Sequence, residues 1–548
     1  MSLESLPVEL QSEICSYLVK SFGPSSIHAL LKTSKTLYNV ALPFSVQIFR
    51  NTSPMRTGEG PCSETRNVQF LHYILVSKPE LAKKVETVIL GGFTAREDGD
   101  TQPLGTLAST PEDLKIYGEF IIQSLGQQLS NADLARRDKW VGQLGSGHSD
   151  AQVALILLAC VNLKRLYFED YQKGPSENLT FRKPPSFMFL LEMATTLPNH
   201  GIKAPLANLQ HVHVQSQKSN TCGWEQTLRL MALPKLKVYE SLDATNRGLT
   251  SSDLALSPDF KSSTVDELTF HQAHARASEV KQLAGICKHL NRFEYISATH
   301  EPVSGIFARD IMDAVLPHAD TLEYLYLNFD DDCQKIGWDN DPHRLYMGIK
   351  LAQMTTLRSL LIGMQSLTGI FDPVPGSELD MPLSIEGAPR IVESLPESLI
   401  ELHLRDCGKG ILSQAAELLD VMEKGERLKN LLAVMILFKD ENINIEDVRL
   451  SLNAPGRRFS VCFQHRVYRW LDSGSSRKTF EGIRAIPSLC SRIYADDLRN
   501  DWMDFRGRLT MKMYETGCDC LWRGRVGPKT RGMRLLMRAP PDEYQPDD

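Results

Sequence analysis

Five aspartates, Asp330, Asp331, Asp332, Asp339 and Asp341, crowd into one short stretch. Carboxylates at that density could attract a calcium ion or a basic partner, but the Gly and Glu positions of an EF-hand loop are missing, so the stretch reads as a solvated acidic loop. His271 and His274 lie three apart with no neighbouring Cys or His to complete a metal set. Cys518 and Cys520 form a lone C-x-C, whereas a zinc site needs two more ligands at suitable spacing. Gly142 to Ser149, GQLGSGHS, lacks the Lys-Ser/Thr ending of a phosphate loop and reads as a turn before a helix at 151. The chain contains no HExxH, no G-x-S-x-G elbow, no Walker loop and no kinase signature set. These residues imply no cofactor and give catalysis no positive support; an unrecognised hydrolase stays open only because triads assemble from residues distant in sequence.

A second chemical set emerges from spacing. Apolar residues at i, i+3, i+5 recur as Val85-Val88-Leu90, Leu163-Leu166-Phe168, Leu209-Val212-Val214, Val265-Leu268-Phe270, Leu290-Phe293-Tyr295, Leu322-Leu325-Leu327, Leu357-Leu360-Ile362 and Leu399-Leu402-Leu404. Leu233-Leu236-Val238 and Leu428-Leu431-Ala433 are further candidates. The last two positions of each triplet alternate, as a short strand with one buried face requires. Residues between them then face outward: Arg165, Tyr167 and Glu169; His211, His213 and Gln215; Lys237 and Tyr239; Glu267, Thr269 and His271; Tyr324, Tyr326 and Asn328; Glu401, His403 and Arg405. Tyr and Arg dominate binding energy at interfaces, so Tyr324, Tyr326 and Arg405, with His403 and Tyr167, are the candidate substrate-binding residues.

Helix-like runs precede several triplets, at Ala151 to Cys160, Glu279 to His289, Ile306 to Leu316, Leu345 to Met354 and Ala415 to Glu423. The unit is helix, short loop, strand. Repeated in one direction it predicts parallel strands with helices on the other side, because no single unit can cover its own apolar face. Spacing between triplets ranges from 25 residues (265 to 290) to 42 (357 to 399), with a gap of 78 between 85 and 163.

Before these units stands LPVELQSEICSYLVKSFGPSSIHALLKTSKTLYNVALP, residues 6 to 43. Leu10, Ile14 and Leu18 recur every four residues and form an apolar stripe on a first helix whose opening turn tolerates Pro7. Ser25 or Ser26 can cap a second helix, with Ile27, Leu30 and Leu31 as its apolar face, and Leu37, Tyr38 and Ala41 continue the pattern until Pro43. A module this small cannot cover its own stripes.

Composition sets the outer bounds. Lys+Arg 61 against Asp+Glu 67 leaves a net charge of −6, which argues against a surface built for nucleic acid. Eleven scattered cysteines, an odd number, favour a reducing compartment over a disulfide framework. No segment reaches 18 uninterrupted apolar residues, and Glu4, Glu9 and Glu13 stand where a secretion signal would be basic and then apolar. A soluble chain of cytosol or nucleus, with no membrane partner, is expected. Near the C-terminus Arg457 to Gln464 could form a last strand, and Leu498, Trp502, Phe505, Leu509 and Met513 share one face of a helix over 491–516. Residues 523–538 hold six basic side chains and no acid, before an acidic tail; such a terminus reads as disordered and solvated.

Leu6-Pro7, Glu9-Leu10, Ile14, Tyr17-Leu18, Leu30-Leu31, Ser34 and Leu37, in this order near the N-terminus, resemble an F-box. The triplets resemble leucine-rich repeats, with the full family pattern only at Leu399-x-x-Leu402-x-Leu404-x-x-Cys407. The resemblance implies an α/β chain: an all-α F-box at 1–50, a linker at 51–80, an irregular leucine-rich-repeat-like solenoid at 81–456, a helical C-terminal cap at 457–522 and a tail at 523–548. It further implies docking on the Skp-type adaptor, and through it a cullin, by Leu6, Pro7, Leu10, Ile14, Leu18, Leu30 and Leu31, while the repeats hold an unknown protein substrate. The alternative is a repeat scaffold for protein–protein interaction outside any ligase.

Overall fold

The computed structural model describes residues 3–22, 25–51, 63–91, 109–125, 130–169, 185–196, 204–215, 224–242, 262–273, 275–297, 306–329, 342–371, 383–408, 410–431, 433–438, 458–466 and 483–485. The acidic run 330–341, His274, Cys518, Cys520, the helix expected at 491–516 and the charged tail lie outside them. The chain divides into two compact units, Met1–Leu322 with Phe329–Ile336, and Glu323–Asn328 with Gly337–Asp548. Both are α/β with mainly parallel strands.

The first unit opens with three helices, α1 (Val8–Phe22), α2 (Ser25–Leu30) and α3 (Lys35–Ser45). Cys15, Val19, Ile27 and Ala41 form their shared core. Ser34 caps α3 by accepting from Leu37 N at 3.2 Å. Pro43 does not end this helix but lies inside its last turn, where it forfeits one backbone hydrogen bond and its ring crowds the carbonyl four residues before.

Seven strands follow: β1 (Ile48–Asn51), β2 (Thr87–Leu90), β3 (Arg165–Glu169), β4 (His211–Gln215), β5 (Val238–Leu242), β6 (Glu267–Ala273) and β7 (Arg292–Ser297). Each pairs parallel with the next in chain order. The register lines up Phe49, Val88, Leu166, Val212, Tyr239, Leu268 and Phe293 in one buried row. Asn51, Leu90, Phe168, Val214, Ser241, Phe270 and Tyr295 make a second. Leu, Val and aromatic side chains recur because an inner strand position in a parallel ladder touches the same position on both neighbours.

Two hydrogen-bond ladders accompany these rows. The carbonyl just before each strand, from Gln47, Glu86, Lys164, Gln210, Lys237 and Asp266, accepts from two successive N–H groups of the following unit. The polar residue just before the first apolar position of a triplet reaches back to the preceding unit: Asn162 Nδ2 to Lys83 O at 2.8 Å, Asn208 Nδ2 to Val161 O at 3.1 Å, Thr264 Oγ1 to Leu236 O at 2.9 Å and Thr321 Oγ1 to Leu290 O at 3.0 Å. Loop carbonyls that a turn leaves unpaired are thereby satisfied. The polar position that ties successive units thus precedes the strand, whereas the leucine-rich-repeat pattern places its Asn or Cys after it.

Helices sit between the strands: α4 (Ser63–His72), α5 (Pro111–Leu125), α6 (Asn131–Gly145), α7 (Ser149–Ala159), α8 (Pro185–Thr196), α9 (Trp224–Met231), α10 (Ala277–Ile286) and α11 (Ala308–Val315). The expected linker 51–80 contains α4, and Leu71 and Ile74 there have no exposure, so much of it is packed structure. The gap between triplets 85 and 163 holds α5 and α6. The glycine-rich 142–149 closes α6 and turns at Gly147, φ 76°, into α7. Every residue of α7 is buried. Its Asp150 caps a different helix, accepting from Ser186 N at 2.8 Å and Phe187 N at 3.1 Å at the start of α8, while Ser186 Oγ donates to Gln143 Oε1 of α6.

In the second unit β8 (Tyr324–Asn328), β9 (Ser359–Gly363), β12 (Glu401–Cys407), β13 (Ala433–Phe438) and β14 (Arg458–Arg466) are parallel and adjacent in that order. The short pair β10 (Ile370–Phe371) and β11 (Leu383–Ser384) stands apart, and β15 (Ile483–Ala485) runs antiparallel to β14. Leu325, Leu360, Leu402 and Val434 form the buried row here. Ser398 Oγ to Leu357 O at 2.9 Å and Asn430 Nδ2 to Glu397 O at 3.0 Å repeat the side-chain ladder. The run Leu345 to Met354 forms a 3-10 turn, Ile349–Gln353, in place of an α-helix. β14 lies where the last strand is expected, so pairing continues past residue 456.

Two triplets are shifted by three residues. Val212 pairs with Tyr239 and Leu402 with Val434, so the buried sets are Leu236-Tyr239-Ser241 and Leu431-Val434-Ile436. Leu233, Leu236 and Tyr239 are evenly spaced by three, so the first step of the pattern fits either way, and only pairing with β4 and β6 selects one.

Asn208→Ala should lower the thermal unfolding temperature, with a loss of about 1 kcal/mol for one hydrogen bond across the ladder, as differential scanning fluorimetry would register. Burial raises the Asp150 carboxyl from its usual 3.8 to about 6, against the pull of its bonds to Ser186 and Phe187. The protonated form therefore favours the folded state: that stability is complete below pH 3.8 and is lost as pH rises through about 6, a swing of about 3 kcal/mol. Asp150→Asn should flatten this part of the stability curve between pH 4 and 7.

Candidate functional site

The alternation of the strands exposes different chemistry in the two units. In the second unit Tyr326 is wholly buried and Arg405 is 4% exposed, so neither anchors a substrate at a surface. Arg405 Nη1 donates to Tyr326 Oη at 2.7 Å, and its guanidinium lies 5.9 Å from the ring centre. Arg405 pairs in register with Gly363 of β9, and its side chain reaches Tyr326 of β8. Leu361, in the same outward row as Tyr326, is buried too. The helix Met364–Thr368 leaves β9 directly, packs against β9 and β12 and is itself buried. The outward rule assumes an open second face, and here that face is covered. Tyr324 and His403 remain half-buried.

In the first unit the outward rows are polar. Pairing aligns Tyr167, His213, Glu240, Thr269 and Glu294 across β3 to β7, with Arg165, His211, Val238, Glu267 and Arg292 in the row beside them. Glu240 gathers both histidines of β4. His213 Nδ1 donates to its Oε2 at 2.9 Å, since a carboxylate can only accept, and His211 Nε2 stands 3.3 Å from the same oxygen. The Tyr167 ring lies 5.2 Å from the His211 ring and 5.8 Å from that of His213. Two strands on, Glu294 is buried with its Oε1 accepting from Arg292 Nε at 2.8 Å and Nη2 at 2.6 Å, and its Oε2 lies 3.3 Å from His271 Nε2.

Burial works against ionisation of Glu240, yet the hydrogen bonds and charge of His211 and His213 outweigh it and hold the carboxyl well below its usual 4.5. The site therefore carries a fixed anion between imidazoles. Among the described residues no group of three His, Cys, Asp or Glu side chains is arranged to hold a metal ion. Burial raises the thiols of Cys160 and Cys287, the latter to about 12 with a contribution from Asp266, so neither is a thiolate at neutral pH. The arrangement is suited to holding a charged or hydrogen-bonding partner.

Tyr167, His211, His213, Glu267, Thr269 and His271 lie on this face as the alternation implies. Tyr239 does not: it points into the core, where its hydroxyl meets Thr227 Oγ1 at 3.0 Å. The shifted register of β5 hid Glu240, because reading Leu236-x-x-Tyr239-x-Ser241 puts position 240 outside. Arg292 and Glu294 follow from the same rule applied to β7.

At the N-terminus Pro7 and Leu10 are exposed, Leu6 and Ile14 are half-buried, and Leu18, Leu30 and Leu31 pack partly on the core of the three helices. Gln11 Nε2 donates to Leu6 O at 2.8 Å and pins the segment before α1. No protein-family model matches the chain, and no curated protein matches it. Among the described residues no helix is long and apolar enough to cross a membrane.

Because the folded value of Glu240 lies below the unfolded one, its stabilisation is complete above pH 4.5 and is lost as pH falls through the folded value. Replacing His211 and His213 with Ala removes the groups that depress it, so the acid-unfolding midpoint followed by circular dichroism should move to higher pH.

Proposed function

We propose that this chain is a substrate-recognition subunit of a cullin-based ubiquitin ligase, with α1 docking on a Skp-type adaptor and the β-ladder holding a target protein. One observation carries the reading: one side of α1 enters the core of the three helices, and a second apolar side is largely exposed. Cys15 and Val19 enter the core of the three helices. Val8, Leu10 and Tyr17 are 56%, 46% and 64% exposed, and half-buried Ile14 lies between the last two. At 100° per residue Leu10, Ile14 and Tyr17 fall within an arc of about 60°, which makes a continuous apolar ridge of the kind that marks an interaction surface. The F-box resemblance of the same residues names the partner.

Beyond the helices, in-register strands repeated with their own helices support an irregular leucine-rich-repeat-like solenoid as the target-holding part. No chemistry on the chain itself is required: a receptor acts by raising the effective concentration of the target's lysines near a charged enzyme.

Adaptor co-purification tests this reading. Leu10→Asp with Tyr17→Asp changes side chains outside the internal core, so the protein should keep its circular dichroism and its melting temperature while adaptor capture falls by at least tenfold. Undiminished capture, or no capture by the parent protein, would leave a scaffold outside any ligase as the better description.

A further inference from the structure

The two imidazoles that hold Glu240 converge on a single oxygen. Both contacts, from His213 at 2.9 Å and His211 at 3.3 Å, end on Oε2, and among the described residues none ends on Oε1. The side chain is one-third exposed, and the carboxyl is ionised at neutral pH for the reasons above. An anionic oxygen, partly withdrawn from water and not engaged by any other described residue, is a natural acceptor for a lysine ammonium or an arginine guanidinium, whose charge-assisted hydrogen bonds are about twice as strong as neutral ones.

The surroundings give the face a direction. Half-buried Glu267 lies one strand away on β6, diagonal to Glu240 in the register. Glu294 is already neutralised by Arg292. On the other side Arg165 is exposed on β3, beside His211 in the register and without an ion pair among the described residues. Neighbouring strands stand about 4.8 Å apart, and an extended peptide presents side chains to one face about every 7 Å. Successive cations of such a peptide could therefore meet Glu240 and Glu267, while the half-buried Tyr167 ring and the imidazoles offer flat surfaces to the alkyl stems. An acidic segment would find Arg165 but would have to approach the Glu240 carboxylate.

We propose that the β3 to β6 face of the first unit binds a basic, extended segment of a partner protein, with one lysine or arginine side chain seated on Glu240 Oε1. This rests on the β-ladder as the target-holding surface and not on adaptor docking, so peptide binding and adaptor capture can fail separately.

The probe is a fluorescein-labelled peptide of alternating Lys and Ser, compared with alternating Glu and Ser, titrated with the full chain at low salt and read by fluorescence anisotropy. The Lys peptide should bind and the Glu peptide should not. Glu240→Gln should weaken the Lys peptide by about tenfold, as loss of one charge-assisted contact predicts. Arg165→Glu should tighten it several-fold, and Glu112→Gln on α5 should change nothing. Should Glu240→Gln lose its circular dichroism, Glu267→Gln takes its place with a weakening of about threefold. Preference for the Glu peptide, weaker Lys binding after Arg165→Glu, indifference to the Glu240 and Glu267 substitutions, or no binding of either peptide would each overturn the assignment.

Discussion

Everything in this protein depends on the register of its parallel strands. In a parallel ladder each inner side chain meets its counterpart on both neighbours, so one apolar position per strand becomes a continuous buried row. Val88, Leu166, Val212, Tyr239, Leu268 and Phe293 form such a row in one unit, and Leu325, Leu360, Leu402 and Val434 in the other. A slip of one residue in a strand would turn its inner apolar side chain outward and bring the alternate residue inside, at about 2 kcal/mol or more for each large apolar side chain lost from the core.

Polar groups enforce the same register from the loops. Asn162, Asn208, Thr264, Thr321, Ser398 and Asn430 occupy equivalent positions and each reaches a carbonyl of the preceding unit. The bonds are individually modest, yet they recur at equivalent positions, so misaligned stacking forfeits one at each such step. The ladder needs no uniform repeat length for this. Insertions as long as α5 with α6 fit between strands because only the few residues around each strand carry the alignment.

The outward faces of the two units do different things. In the second, Arg405 and Tyr326 close on one another beneath a covered surface, so a buried cation serves the structure. In the first, Glu240 and Glu294 collect His211, His213, His271 and Arg292 on a face that stays partly open. α1 contributes a separate apolar ridge at the N-terminus of the same unit.

The sequence by itself determined the strand positions wherever a triplet was unambiguous, the helices at 151, 279, 306 and 415, and Leu10 and Ile14 of the apolar ridge on α1, whereas Leu18 of the expected stripe packs on the internal core. Those features are local: hydrophobic periodicity is decided within a few residues. Only the tertiary structure decided which of Leu233, Leu236 and Tyr239 begins a buried set, because equal spacing offers two registers and pairing with β4 and β6 chooses. It alone turned Glu240 outward between two histidines, sealed Tyr326 and Arg405 away from solvent, and set Asp150 of α7 at the start of α8. Each of these joins residues tens of positions apart, where the contacts that discriminate exist only once the strands and helices have been brought together.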